Sequence, residues 1–348
     1  MNTISPTNSV TAEPKDAGHR GHTRILHFVR AIVIGTILLT AAGFAYQVVV
    51  TRMDELKYPA PGRMVDVDGF EMHLYCTGDG SPTVVLEPGG GSSSLVWYLI
   101  QPEIAATTRV CAYDRAGMGW SDSGPAPRDG KRIASELHTL LSRADIPGPY
   151  VLAGWSYGGL FARSFAVQYP DDTAGLVLLD ASHTDIWTRT ALGQSRYKND
   201  SVIYTGMRLF ARLGLLRLFP TPFTAPPESL PKQQVPQWKA VHNTTTSVDT
   251  TEAESRSIID TMAQLRQAGD LGDLPLIVVT AGENQGADGL WAVYQDELAA
   301  SLSTDSVHMI VEGAQHQQLV FDPEYSQASS SAILQMIEKV RAAGTEKP

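Results

Sequence analysis

The longest apolar run, Ala31 to Val50, holds twenty consecutive residues without a charged side chain, and Gln47 is its only strongly polar member. At about 1.5 Å per helical residue it matches the roughly 30 Å of bilayer hydrocarbon, so the run predicts a transmembrane helix. Past a linker at Tyr58 to Gly62 the apolar runs shorten to strand length. They are Met64 to Val67, Glu71 to Tyr75, Pro82 to Leu86, Val110 to Tyr113, Pro149 to Ala153, Leu176 to Leu179, Leu274 to Thr280 and Val307 to Val311. The first two, joined by Asp68-Gly69, read as a hairpin. Helical spacing covers Ile133 to Ala144, and again Leu160 to Tyr169, where Pro170 stops it. Apolar strands alternating with helices predict an α/β fold, a mostly parallel sheet with helices on both faces.

One strand and its helix meet abruptly, at Gly154-Trp155-Ser156-Tyr157-Gly158. The pattern G-x-S-x-G reads as a nucleophile elbow. Small residues two positions either side let a strained serine backbone pack tightly, and the hydroxyl projects above the sheet edge. The same residues also fit a plain glycine-lined turn whose serine caps the helix.

Composition narrows the function classes. Hydrophobic residues make up 43% and charged residues 18%, which argues against wholesale disorder. The net charge of -10 gives no reason to expect a nucleic-acid partner. Residues 1–24 are polar, with Pro6, Pro14, Gly18 and Gly21, and predict a disordered cytoplasmic tail. Lys15, Arg20, Arg24 and Arg30 precede the apolar run, whereas Arg52 and Lys57 after it are accompanied by Asp54 and Glu55. That asymmetry places the N-terminus in the cytoplasm and the rest outside, with residues 25–52 as an uncleaved signal anchor. A cleaved signal peptide, with Gly43-Phe44-Ala45 as its small-x-small site, is the competing reading and would give a secreted protein. A G-x-x-x-x-G-K-[ST] loop and a His/Cys cluster with metal-ligand spacing are both missing from the sequence, so no cofactor or metal is implied.

Several motifs then occur in a telling order. A hairpin is followed by Glu87-Pro88-Gly89-Gly90-Gly91-Ser92 after the third strand and Asp114-Arg115-Ala116-Gly117-Met118-Gly119-Trp120-Ser121 after the fourth. The elbow follows the fifth strand, and a late histidine completes the series. Over roughly residues 62–340 this order resembles the α/β-hydrolase fold superfamily. Tyr113 to Asp122 together with Leu176 to His183 look like a group of bacterial hydrolases, many membrane-anchored. The resemblance implies a mostly parallel eight-stranded sheet with flanking helices and a helical cap inserted after the sixth strand. The hydrolase core then occupies residues 62–183 and 273–342, and the cap residues 184–272.

The resemblance also implies a Ser-His-acid triad. Ser156 needs a base, because a free serine hydroxyl is a poor nucleophile. Of nine histidines, His316 follows the last strand, where the family's base sits, and His183 is the runner-up; His19, His22 and His27 precede the span, His73 and His308 fall within strands and read as structural, and His138 and His242 have no strand end to aim them. The acid commonly lies three residues after a glycine beyond the seventh strand, but three after Gly282 stands Gln285. The favoured acid is therefore Asp180 at the end of the sixth strand, the position some family members use, with nearby Asp288 and Glu283 as alternatives. Oxyanion donors are expected from the amides of Tyr157 and Gly90, with Pro88 standing where the family commonly has histidine. In the family's sheet the second and fourth strands are adjacent and antiparallel, which implies a Cys76–Cys111 disulfide outside the cytoplasm.

About ninety residues between Asp180 and Leu274 lack a clear strand, too many for a loop, and should form the cap. Within them Met207 to Phe219 is amphipathic and cationic, through Arg208, Arg212 and Arg217, and either packs over the active site or touches the membrane surface. The expected activity is hydrolysis of a small-molecule acyl substrate, most simply a carboxylic ester. An aminopeptidase of the proline-iminopeptidase type and a non-catalytic binding or signalling protein on the same scaffold are the alternatives. Dehalogenases and epoxide hydrolases of the superfamily carry aspartate at the elbow, and the serine disfavours both.

Overall fold

The computed structural model describes residues 17–221, 224–286 and 289–345. Its first element, α1 (Ala17–Lys57), is a continuous helix of 41 residues and, among the described residues, the helix long and apolar enough to cross a membrane. It takes in residues 17–24, which the polar composition assigns to a disordered tail, and runs past residue 52. No proline lies between Pro14 and Pro59, so helical hydrogen bonding extends from the apolar run in both directions until Pro59 and Pro61. The rest of the expected tail, residues 1–16, lies outside the described residues.

The chain continues through β1 (Arg63–Asp66), β2 (Glu71–Thr77), β3 (Thr83–Glu87), α2 (Ile100–Ala105), β4 (Val110–Tyr113), α3 (Gly130–Arg143), β5 (Tyr150–Trp155), α4 (Tyr157–Gln168) and β6 (Thr173–Leu179). Then come α5 (Ala191–Arg212), α6 (Leu215–Leu218), α7 (Val235–His242) and α8 (Thr245–Ala268). The remainder is β7 (Leu276–Ala281), α9 (Trp291–Ser301), β8 (Ser306–Val311), α10 (Gln318–Phe321) and α11 (Ser326–Thr345). The strands form one 8-stranded sheet in the order β1-β2-β4-β3-β5-β6-β7-β8. β2 pairs antiparallel with β1 and β4, and the other pairings are parallel.

The continuous apolar runs are explained by two cores. Val85, Leu152, Leu176, Leu178 and Val278 face α3, α4 and α9 through Leu140, Phe165 and Leu298. Their neighbours Val84, Val151, Val177 and Val279 face α2 and α11 through Ile104, Ile333 and Met336. Each strand therefore buries both faces, and alternation with polar residues disappears. Cys76 and Cys111 are register partners on β2 and β4 and form a disulfide.

The helices α5 to α8 are inserted between β6 and β7 and cover the carboxyl ends of the strands. Ile258, Met262 and Leu265 of α8 pack on Ile133, Leu160 and Phe161. The segment Met207 to Phe219 is not one helix. Gly214, at φ +70°, ends α5 and starts α6, a left-handed turn that a residue with a Cβ adopts only under strain. The corner so made packs on α1, where a Cβ on Gly214 would lie 2.6 Å from Tyr46 Cδ1. The cationic character also disappears in the fold. Arg208 pairs with Asp249 at 2.8 Å and Glu252 at 2.8 Å, Arg212 with Asp249 at 3.0 Å, and Arg217 with Asp54 at 2.6 Å.

Candidate active site

Ser156 stands between β5 and α4 with φ 57° and ψ -124°, a conformation costing on the order of 1–3 kcal/mol for a residue with a side chain. Its side chain makes no capping hydrogen bond to α4, so the plain helix-cap reading does not apply. The turn is held by Ser156 N–H donating to Leu179 O at 3.2 Å and Ser182 N–H donating to Ser156 O at 3.0 Å. Glycine is required beside it: a Cβ on Gly154 would lie 2.6 Å from Gly158 O, and one on Gly158 would lie 2.3 Å from Glu87 O. Ser156 and His316 line one open cavity of about 690 Å³, together with Gly90, Trp155, Trp238 and Phe321.

His316, on the loop after β8, donates from Nδ1 to Asp180 Oδ2 at 2.6 Å. Asp180 is fully buried at the end of β6, with φ 45°. Three further groups donate to its carboxylate: Ala281 N–H at 2.9 Å and Trp291 Nε1 at 2.7 Å on Oδ1, and Asn284 Nδ2 at 2.6 Å on Oδ2. The imidazole is also fixed from its sides. The Trp155 ring stacks on it at 5.1 Å between centroids, and Trp291 meets it edge-on at 5.7 Å. None of Trp155, Asn284 and Trp291 stands out as a site residue in the sequence, although Trp155 adjoins the serine, Asn284 lies in the loop after β7 and Trp291 begins α9.

The remaining candidates are placed elsewhere. Glu283 is exposed, and its backbone N–H, not its carboxylate, makes the local contact, to Ala314 O at 2.9 Å. The strand register explains this: β7 ends at Ala281, and the chain turns outward before residue 283 can face the cavity. Asp288 lies outside the described residues. His183 stacks on Tyr294 at 5.0 Å, accepts from Asp185 N–H at 3.1 Å, and is lowered in pKa chiefly by burial.

The loop after β3 reaches the elbow closely enough that a Cβ on Gly90 would lie 2.7 Å from Tyr157 Cδ2. Arg115 shapes this loop from beneath. It donates to Pro88 O at 2.6 Å and Gly89 O at 2.8 Å, to Glu87 Oε1 at 2.7 Å, and to Glu254 at 2.7 Å and 3.0 Å. All five guanidinium N–H groups are thereby used. Gly89 O is thus turned to Arg115, while Gly90 lines the cavity that holds Ser156 and His316. Burial pushes the Glu87 carboxyl up to about 7 against the pull of Arg115 and the Tyr113 hydroxyl.

Asp114 holds the other end of the loop. Its Oδ1 accepts from Ser94 N–H at 2.6 Å, and its Oδ2 accepts from His73 Nδ1 at 2.8 Å and Trp120 N–H at 3.1 Å. Burial alone would lower the His73 pKa and raise that of Asp114. The attraction between them outweighs it, so His73 is raised and Asp114 lowered. Further along the loop, Ser93 contacts His242, which burial lowers to about 4 and so keeps neutral.

Comparison with known proteins agrees with this architecture. A family model for the alpha/beta hydrolase fold matches residues 82–309, and the chain belongs to that family. It is 32% identical over 134 residues to the uncharacterized protein YqjL of Bacillus subtilis, covering 38% of this chain and 53% of that one. It is 26% identical over 298 residues to an uncharacterized protein of Schizosaccharomyces pombe, covering 76% of this chain and 54% of that one. The chain thus spans about half the length of these curated relatives. Among solved structures, the epoxide hydrolase CorEH superimposes with a TM-score of 0.61 at 19% identity, over 79% of this chain and 98% of that one.

Proposed function

We propose that the protein is a membrane-anchored serine hydrolase that cleaves carboxylic esters through an acyl-enzyme. The observation that carries this reading is the 2.6 Å contact between His316 Nδ1 and Asp180, on a histidine that shares its cavity with Ser156. With Nδ1–H held by the carboxylate, Nε2 is free to take the Ser156 proton as Oγ attacks the ester carbonyl carbon. The carbonyl oxygen becomes an oxyanion received by the amides of Tyr157 and Gly90, each worth about 3 kcal/mol in the transition state. His316 returns the proton to the departing alcohol oxygen, leaving an acyl-serine. Water then attacks that acyl carbon with His316 again as base, and the carboxylic acid leaves as Ser156 regains its proton. The epoxide hydrolase shares the fold, but a serine at the elbow suits acyl transfer.

The anchor and the location outside the cytoplasm are supported by the apolar run of α1, by the basic residues before it, and by the disulfide. A fluorophosphonate probe tests the chemistry. The wild type should label at Ser156, and Ser156→Ala should not; an unlabelled wild type, or a variant labelled equally, overturns the enzyme reading in favour of a binding scaffold. A second reading, an aminopeptidase, draws support from Glu228 and Asp322 in the cavity wall, two carboxylates able to receive a substrate ammonium. Faster turnover of an amino-acid 4-nitroanilide than of a 4-nitrophenyl ester would favour it.

A further inference from the structure

The cap touches α1 at a depth that conflicts with a wholly water-exposed cap. A Cβ on Gly43 would lie 2.9 Å from Leu213 O, so the turn between α5 and α6 rests against the uncharged run of Ala31 to Val50, not beyond its end. Gly43 precedes Val50 by seven residues, or about 10 Å of helix rise. Gln47, the strongly polar residue of the run, is 3% exposed and donates to Asn243 O at 2.9 Å. Its Oε1 accepts from Arg217 Nε at 3.0 Å, and Arg217 continues outward to Thr51 at 3.2 Å and Asp54 at 2.6 Å. The polar group that a bilayer would exclude is therefore satisfied by the cap.

Around this contact the cap presents an apolar surface. Leu209, Phe210, Leu218 and Phe219 are exposed, continuous with the exposed side chains of α1. The arginines interleaved with them are paired to acidic groups of the protein, so these apolar side chains sit beside neutralised ion pairs and not beside unpaired cations. An interfacial amphipathic segment buries its apolar face about 5–10 Å into the boundary between headgroups and acyl chains, comparable to the depth the Gly43 contact sets. The same helix reaches the reactive centre. Ile203 and Tyr204 of α5 line a cavity of about 280 Å³ with Gly90, Ser156 and Tyr157, and Ile203 is also exposed on the outer side.

We infer that the α5–α6 corner is immersed in the outer leaflet beside α1, and that the smaller cavity receives the chain of a long-chain acyl ester resident in that leaflet. The occupant of the apolar face is bilayer hydrocarbon, because the face is continuous with the helix that spans it and lies at its depth. The acyl chain passes beneath α5 to Ser156, and the alcohol leaves through the larger cavity. The substrate class rests on the serine hydrolase reading, and the immersion rests on the membrane anchor alone.

The test uses the full chain in vesicles of phosphatidylethanolamine and phosphatidylglycerol. Phe210→Cys and Phe219→Cys are each labelled with nitrobenzoxadiazole, and Lys131→Cys, at an exposed position of α3, serves as the reference. Blue-shifted emission at 210 and 219, quenched by lipids with a nitroxide on the acyl chain, supports immersion. Solvent-like emission overturns it, and so does shielding without lipid quenching, which assigns the face to a second copy or a partner protein. In the second arm, Leu218→Glu/Phe219→Glu should lose about tenfold on a long-chain diacylglycerol in vesicles and keep its rate on soluble 4-nitrophenyl butyrate. Equal rates on both substrates, or equal losses, overturn delivery from the leaflet. Failure of fluorophosphonate labelling would remove the hydrolase reading and leave the quenching result standing.

Discussion

Asp180 and His316 are separated by 136 residues, yet Asp180 Oδ2 lies 2.6 Å from His316 Nδ1. Four nitrogen donors converge on that buried carboxylate, from β7, the loop region after it, α9 and the histidine loop. An asparagine there would keep the volume but present an amide to Nδ1 and favour the wrong tautomer. Asp180→Asn should lower kcat/KM on a soluble ester by about 10⁴-fold, whereas Glu283→Gln should stay within about twofold. Steady-state kinetics of the two variants decide between these carboxylates, and the reverse ranking would reassign the acid.

Arg115 joins the core, the loop after β3 and the cap through buried partners. Removing it strands Glu87 and Glu254 without a countercharge. Arg115→Met should cost about 3–5 kcal/mol of stability, seen as a lower denaturation midpoint in detergent. The double variant Arg115→Met/Glu254→Leu should recover part of that loss, and strict additivity would show that the pair is not coupled.

The two glycines Gly158 and Gly206 should respond oppositely to alanine. A Cβ on Gly158 meets Glu87 O at 2.3 Å and Pro88 O at 2.7 Å, both backbone atoms, whereas one on Gly206 meets nothing within 4 Å. Gly158→Ala should abolish fluorophosphonate labelling by displacing the elbow. Gly206→Ala, inside α5, should label normally and gain up to about 1 kcal/mol of helix stability, read as a raised melting temperature.

The Cys76–Cys111 bridge closes a loop of sequence separation 35. Cys76→Ala/Cys111→Ala should be destabilised by about 2–4 kcal/mol in chemical denaturation. Thiol titration of the denatured wild type should find no free thiol before reduction and two after; two before reduction would show that the bridge does not form.

His242 gives stability a signed pH dependence. Its folded pKa, about 4, lies below the usual 6.5, so the unfolded chain binds the proton more readily. Its contribution is complete above pH 6.5 and is lost as pH falls through the window between 6.5 and 4, amounting to about 3 kcal/mol at most. His242→Gln should therefore lose less stability than the wild type between those pH values, as followed by denaturation at a series of pH values. A parallel decline in both proteins would rule out His242 as the source.

Strand and helix positions, the strained serine at 156 and the apolar span were legible in the sequence, because periodicity, glycine spacing and run length are local properties. His316 was legible as well, by its place after the last strand. A place at the end of the sixth strand favours Asp180 over Glu283, but the surroundings of Asp180 were not legible: they need the register of β6 against β7, where Asp180 N–H donates to Val279 O at 2.6 Å and brings the carboxylate beneath Asn284 and Trp291. The five hydrogen bonds of Arg115 and the seat of Gln47 on the cap were equally invisible, since their contacts span 26 to 196 residues. The sequence by itself determined the strands, the two helices beside the elbow strand, the apolar run and the elbow. Only tertiary structure decided which distant polar groups meet, because pairing across the chain depends on sheet register and helix docking, and neither leaves a local pattern.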